Sequence, residues 1–582
     1  MYIGQSLTRD EDARLLKGLG EYTDDLQTPN CAYAVFIRSP IAHGRLTKIS
    51  LDRAESMPGV LCVLDAKRWA ATGAGRYLPP MTSVQSDDGL PMRSAQRGVF
   101  AIERVCYVGD TVACVVAETP DMALDAAQSI DIDYEPLPAV TDVEQAASPQ
   151  APRVHECFDS NISFSLTIGD AQAVQQAFKR AAHVSTLHIS SPRITGNPIE
   201  PRTYLGWYDH RHDRYTLWAS TQLPHGIRKM LADYTFGCSL NKIRVVAPDV
   251  GGGFGTKGYY YPEMPVVLYA AKQLGRPVKF TSTRSESLQS DIHGRDFLSC
   301  ASMAFDKEGQ ILAVDVETLG AFGAYQNGFN AVIVGRRFAP PITNLYQIPA
   351  ARVRVSGVYT HASPTDAYRG VGEPPATVCE RLIENGAREM GMDPLALRLR
   401  NYIRREQFPY RNVLGDEYDS GDPLAQHNKL LEITDYDTLC NMRSKFREPS
   451  IRMGIGAAAF VDRSGLGPSR LGDPNPEIDS PTWEMGRVEI TTDDRVQISV
   501  GTHAHGQGHE ITFRQIAADA LGLPIDLIDF QQGDSDRDKG NIGTGANRSL
   551  MTAGMAVHVA GERIIALAGI VVNNNIVLID TY

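Results

Sequence analysis

The sequence predicts a multidomain α+β protein, and three observations carry that prediction. At 582 residues the chain is too long for one core, because domains run to about 100–200 residues each. Its 43% hydrophobic and 22% charged content is that of a globular protein with sizeable cores. Short β-like runs that end in glycine-rich turns alternate with helical or irregular segments along most of the chain.

Residues 1–140 mix β-like runs at Ala32–Ile37 and Val112–Val116 with a helical stretch at Met122–Gln128, a compact α+β unit. Residues 141–158 form a linker, because the composition shifts there to Ala, Ser, Gln and Pro without periodicity. A unit over 159–405 follows, with a strand-like run Lys242–Val250 opening into the glycines from Gly251, and a helix Ala376–Met390 stopped by Gly391 and Pro394. The unit 406–566 has a strand Val496–Gly501 and, after Gly506 to Gly508, a helix Glu510–Leu521 that Gly522 and Pro524 end. Stretches 407–423 and 465–481, rich in Asp, Gly, Pro and Ser, read as long surface loops, and 567–582 as a foreign-looking apolar tail.

The formal charge of −12, from 69 acidic and 57 basic residues without a basic block, excludes a polyanion track, so no nucleic-acid partner is expected. Nine cysteines with no C-x-x-C pair provide no local zinc ribbon or iron–sulfur cluster. The N-terminal residues hold neither an apolar signal region nor a twin-arginine pair, which predicts a cytoplasmic location. The apolar run at 567–582 is split by Asn573 to Asn575 and falls short of the roughly 20 residues a span requires, so no membrane partner is expected.

Chemistry concentrates in the glycine-rich loops. Gly251 to Gly258 reads GGGFGTKG, a run whose missing side chains let backbone N–H groups approach an anionic or oxo ligand. Gly253, Gly255 and Gly258 match a dinucleotide fingerprint, but Pro262 and Pro265 should interrupt the helix it needs, and Lys279-Phe280 stands where its acid belongs. A tight structural turn is the other reading of that loop. Gly506 to Gly508 precede a helix whose free N–H groups suit a phosphate. His503, His505 and His509 flank it and are read as ordinary contacts in preference to a metal site, because no carboxylate or cysteine joins them. Asp534, Asp536 and Asp538 imitate a calcium loop that Lys539 and Gly545 then break. Gly543 to Ser549 brings small and hydroxyl side chains of the kind that wrap phosphates and pterin edges.

Gly18 to Asp25, Arg38 to Gly44, Ser220 to Gln222, Asp249 to Gly255, Ala367 to Gly370, Gly506 to His509 and Gly533-Asp534 occur in one order. Together they resemble the molybdenum-binding large subunits of the xanthine dehydrogenase, aldehyde oxidase and aerobic carbon monoxide dehydrogenase family. The resemblance implies an N-terminal α/β hammerhead domain followed by molybdopterin-binding domains of the molybdenum hydroxylase type. It further implies molybdenum held by molybdopterin cytosine dinucleotide without a protein metal ligand, and FAD and [2Fe-2S] centres on medium and small partner subunits of a heterotrimer. The reaction it implies is hydroxylation of an aldehyde or N-heterocycle with water-derived oxygen. By the same resemblance Gln222 and the backbone at Gly253, Phe254 and Gly255 face the metal's oxo group, and Arg369 is the catalytic residue that orients substrate. Gly506, Gln507, Gly508 and the Ala546–Ser549 segment hold the pterin and its phosphates.

Departures refine this. Gly370 stands where carbon monoxide dehydrogenases carry a cysteine, Gly258 where xanthine enzymes carry a glutamate, and Asn547 where serine is common. The resemblance implies a further stretch of chain, of order 100–200 residues, with the general-base glutamate; Glu373 is not that residue. The tail 567–582 resembles a helix of RND efflux transporters. These features predict a last part missing and a chain inactive or unstable as written, with a non-catalytic scaffold for partner subunits or a transporter fragment as alternatives.

Overall fold

The computed structural model describes residues 1–445, 450–461 and 483–571. A seven-stranded sheet runs in the order Ile243–Val246, Arg214–Ala219, Thr203–Asp209, Val278–Thr281, Ala32–Arg38, Thr111–Ala117, Val60–Asp65. Strands from residues 32–117 thus share one sheet with strands from 203–281, joined where Ala32 pairs parallel with Val278. The strand TVACVVA at Thr111–Ala117 is buried throughout, the continuous apolar pattern of a strand covered on both faces. One cover is the helix Pro120–Gln128, which Thr119 caps through the Met122 N–H and which buries Ala123, Ala126 and Ala127.

A five-stranded sheet follows in the order His183–Ser191, Phe297–Phe305, Ile311–Gly323, Ala351–Tyr359, Ile162–Gly169. Helix Glu373–Glu389 packs on it through Val378, Cys379, Leu382, Ile383 and Ala387. It starts before the expected Ala376 because Pro374 and Pro375 occupy its first turn, where no N–H is needed. A third sheet, Gly486–Ile490, Val496–Val500 and Ile528–Gln531, carries helices His509–Leu521 and Met555–Val571 on a core of Ile498, Val500, Phe513, Ala517 and Val557.

Four expectations are corrected. The strand expected over Lys242–Val250 is only Ile243–Val246; beyond it the Ala247 N–H donates to the Gly533 carbonyl and the Asp249 N–H to Glu21, which draws the chain out of the sheet. Pro262 and Pro265 do not break a helix: Glu263–Leu274 begins right after Pro262 and holds Pro265 in its first turn. The stretch 407–423 is not merely a surface loop, since Tyr410–Arg411 pairs with Glu417–Tyr418 and the buried Asn412 side chain donates to the Pro340 carbonyl. The last helix continues unbroken past residue 567 to Val571. The stretch 465–481 and residues 572–582 lie outside the described residues. Among the described residues no helix is long and apolar enough to cross a membrane.

Under the glycine loop lies a buried ionic cluster. Arg202 stands 2.9 Å from Glu263 and 2.6 Å from Asp291, with its guanidinium 3.9 Å from the centre of the Tyr261 ring. Arg38 reaches Glu263 as well and lies 2.7 Å from Glu286. Burial pushes the Glu263 carboxyl up, but Arg202 and Arg38 outweigh it and hold the group down at about 2. The cluster ties the first strand, the helix after the glycine loop and the segment ending at Asp291 into one base.

Candidate functional site

A cleft of about 900 Å³ opens where loops from distant parts of the chain meet. Gln222 is its central knot. Its side-chain oxygen accepts the Gly255 N–H at 2.9 Å, its side-chain nitrogen donates to the Thr544 carbonyl at 3.3 Å, and its own N–H donates to the Lys257 carbonyl at 3.0 Å. The Thr544 hydroxyl in turn accepts the His503 N–H at 2.7 Å and donates its own proton to the His503 carbonyl at 2.7 Å. One glutamine thereby joins the Gly251–Gly258 loop to the 543–549 and 503–509 loops.

Phe254 has φ +55 and Gly255 φ +96. Only glycine fits at 255, because a Cβ there would stand 2.1 Å from the Ala367 carbonyl oxygen. That close approach lets the Arg369 N–H donate to the Phe254 carbonyl at 3.1 Å, and Arg369 itself is held at φ +33, a strained backbone of the kind found at binding sites. The loop is anchored from below by Glu200, which accepts from the Gly251 N–H at 2.7 Å and pairs with the buried Lys257 at 2.5 Å. Burial pushes Glu200 up and Lys257 down in pKa, and their pairing opposes both shifts.

Of the residues singled out from sequence, Gln222, Phe254, Gly255, Arg369, Gly506, Gln507, Ala546 and Ser549 line the cleft. Gly253 and Gly508 stand behind the lining. A Cβ on Gly253 would meet the Gln222 side chain at 2.6 Å, and Gly508, at φ +80, is the N-cap of helix His509–Leu521. Gln507 braces its own turn, accepting the His505 N–H at 2.7 Å and lying 3.1 Å from the His509 ring nitrogen. Sequence reasoning missed Glu200, Asp366 and the arm that carries Arg9, Glu11 and Arg14. No glycine or hydroxyl pattern marks them: Glu200 acts on Gly251 and Lys257, 51 and 57 positions on, Asp366 on Phe329, 37 positions back, and Arg14 on Asp249, 235 positions on. Arg14 bridges to Asp249 and lies 3.9 Å from Glu510, and Arg9 lies 3.3 Å from Glu11.

The three histidines do not form a metal cluster: His503 is bonded to the Pro248 carbonyl at 3.0 Å, and among the described residues no group of three ligating side chains could hold an ion. Burial pushes His503 down to about 4 and His509 to about 3. Both are therefore neutral in the fold, whereas an unfolded histidine takes a proton near pH ~6.5. Their contribution is fully present above pH ~6.5 and is lost as pH falls toward about 4. Proteolytic cleavage in the 503–509 loop should accelerate between pH 7.5 and 5; an unchanged rate, scaled for the protease's own pH response, would refute this. Asp534 and Asp536, read against a calcium loop, are taken by Arg244 and by Arg214.

Unmet hydrogen bonds in the cleft would suit a polar cofactor. The Ser549 hydroxyl and the Nδ1 atoms of His505 and His509 are buried without a protein partner and belong to lining residues. Residues 154–402 match a family model described as a molybdopterin cofactor-binding domain, as do residues 429–571, and residues 17–138 match the aldehyde oxidase and xanthine dehydrogenase a/b hammerhead domain. The chain is 33% identical over 588 residues to the carbon monoxide dehydrogenase large chain of Afipia carboxidovorans, covering 97% of this chain and 71% of that protein. It is 32% identical over 577 residues to the nicotine 6-hydroxylase large subunit of Paenarthrobacter nicotinovorans, covering 97% and 68%. The solved quinoline 2-oxidoreductase of Pseudomonas putida 86 superposes with a TM-score of 0.90 at 30% identity, covering 98% of this chain and 72% of that one.

The family match continues to residue 571, so a change to an efflux-transporter tail at 567 is not supported. With the hammerhead and both molybdopterin-binding regions in order and the glycine loops converging on one cleft, the chain belongs to the molybdenum-binding large subunits of the xanthine dehydrogenase and carbon monoxide dehydrogenase family and is a molybdopterin-dependent oxidoreductase.

Proposed function

We propose that this chain binds molybdopterin cytosine dinucleotide in the cleft and serves the oxidative hydroxylation of an aldehyde or N-heteroaromatic compound with water-derived oxygen. Electrons would pass to [2Fe-2S] and FAD centres on small and medium partner subunits in the cytoplasm. The observation that carries this reading is the Gln222 knot, which binds three glycine-rich loops around one space beside Arg369.

The bound cofactor supplies the redox centre and the oxygen-transfer chemistry. Gln222 with the backbone of Gly253, Phe254 and Gly255 orients its metal end. Gly506, Gln507, Gly508, Ala546 and Ser549 hold the pterin and phosphates, for which the N-terminus of helix His509–Leu521 is suited. Arg369 places a forked, permanently charged group where negative charge develops on substrate. Gly370 and Gly258 argue against carbon monoxide and purines and for a wider aldehyde or heterocycle pocket. Similar proteins named for nicotine and quinoline, both N-heterocycles, support that direction. We assign 1–140 to the hammerhead domain, 141–158 to a linker, and 159–405 and 406–566 to the two molybdopterin-binding parts.

A second reading rests on the cleft's acids. Among the described residues these are Glu11, Asp249 and Glu510, and all three gather around Arg9 and Arg14. Held by those cations, the three acids are poor general bases, and the alternative proposed is a scaffold that binds partner subunits without turnover. Co-expression with the partner subunits separates the two readings. Molybdenum by mass spectrometry, cytidine nucleotide released by acid, and dye-linked oxidation of quinoline, nicotine or benzaldehyde support the enzyme. Partners retained without turnover support the scaffold, and absence of both metal and nucleotide refutes the cofactor assignment.

A further inference from the structure

We propose that Asp366 is a positioning residue that fastens the apolar wall at Phe329 to the arm bearing Arg369, and so sets where a planar substrate lies against that guanidinium. This rests on the reading of the cleft as a substrate pocket. Asp366 is 5% exposed, and its two oxygens receive three N–H groups. Oδ2 accepts from the Asn327 side chain at 3.1 Å and from the Phe329 backbone at 2.9 Å, and Oδ1 accepts from the Ala367 backbone at 2.7 Å. The Asp366 N–H donates to the His293 carbonyl at 2.8 Å, which fixes the residue from behind. Gly328 allows the wall to come this near, because a Cβ there would lie 2.6 Å from Oδ2.

The two segments joined are the two sides of one part of the cleft. Phe329, Val332 and Ile333 line it on one side, and Ala367, Arg369 and Val371 on the other. Ile333 and Val371 meet again in a small cavity beneath, beside Asp366. The Tyr259 hydroxyl closes the joint from the floor, donating to the Ala367 carbonyl at 3.2 Å. Only an acceptor-only group satisfies three donors; an amide in its place would turn its own N–H groups toward at least one of them.

The titratable groups facing Asp366 are few. Tyr259 presents its hydroxyl, and Arg295 lines the cavity beneath but is committed to Glu373 at 2.6 Å and to the Tyr368 carbonyl at 2.6 Å. The His293 ring points away, toward the Leu288 carbonyl at 3.2 Å. Burial pushes the Asp366 carboxyl up to about 7, against the pull of the Ala367, Tyr259 and Asn327 contacts. Protonation removes the charge assistance, and charge-assisted hydrogen bonds are roughly twice as strong as neutral ones. The wall should therefore loosen as pH falls through about 7.

Hydrogen exchange on the assembled holoenzyme tests this without knowledge of the substrate. In Asp366→Asn the amide of Phe329 should exchange roughly 10-fold or more faster. In the wild type its protection, corrected for intrinsic exchange, should fall below pH ~7, whereas the variant should show no such step. If Asp366→Asn assembles poorly, Asn327→Leu removes one donor and keeps the carboxylate; it should weaken protection at Phe329 while retaining the pH step. On whichever of quinoline, nicotine or benzaldehyde is oxidised, Asp366→Asn should raise KM by more than it lowers kcat and remove the pH dependence of KM. Wild-type-like protection in both variants, or a wild-type KM and pH profile in Asp366→Asn, overturns the proposal. The expected exchange pattern without oxidation of any compound upholds the fastening and overturns the enzymatic reading instead.

Discussion

Arg369→Met in the assembled enzyme is expected to lower kcat by roughly 10²–10³-fold, the usual effect of removing one donor aimed at developing negative charge. The arm should survive the change, because what holds it is backbone: the Arg369 N–H on the Phe254 carbonyl at 3.1 Å, and Arg295 donating to the Arg369 carbonyl at 3.2 Å. Among the described residues the guanidinium enters no ion pair, so removing it leaves no buried acid behind. Arg369→Lys should recover part of the loss, since a point charge replaces a fork. Steady-state oxidation with molybdenum content held equal is the measurement. A Met variant within about threefold of wild type, far inside the range expected for a lost donor, would place Arg369 outside the chemistry.

Arg202→Met is expected to cost about 3–5 kcal/mol of stability, the range for breaking a buried ion pair from one side. Arg202 and Glu263 have no exposed side-chain surface, and Asp291 has 2%. Without Arg202, Glu263 keeps only Arg38, and Asp291 loses its cation while remaining buried. The effect should reach the cleft, because helix Glu263–Leu274 starts just after the glycine loop and Asp291 leads into His293, which holds Asp366. Denaturant unfolding should show an earlier transition, with the Gly251–Gly258 segment losing exchange protection first. An unchanged midpoint would mean the cluster relaxes or hydrates when opened. Replacing Arg202, Glu263 and Asp291 together by apolar residues should recover much of the loss, since buried ions repay their desolvation only when paired.

The glycine-rich loops could be read from sequence because glycine is informative without context. Gly255 and Gly508 take backbone angles that other residues resist, and their spacing survives in the letters alone. Helix His509–Leu521 was equally legible, since Gly522 ends it in the left-handed conformation that glycine favours. The prolines after Gly258 misled for a physical reason. A proline breaks a helix interior but suits a first turn, and only knowing where Glu263–Leu274 begins decides which applies.

The charged residues behind the loops carried no such mark. Glu200, Asp366 and Arg14 look like ordinary surface charges in the sequence, and each becomes an anchor only when a distant partner arrives. Arg14 and Asp249 are 235 positions apart, and Gln222 and Thr544 are 322 apart. The joining of strands 32–117 with 203–281 into one sheet was hidden likewise, since period and propensity describe a strand but not its neighbour.

By itself, then, the sequence determined the local conformations that need particular residues: the glycine turns, the helix stops and the apolar strands. The tertiary structure alone decided that these turns face one cleft, that Gln222 knots three of them together, and that Asp366 and Arg202 hold the walls. Local letters fix backbone freedom, whereas a site is made of long-range contacts whose energy exists only once the chain has closed on itself.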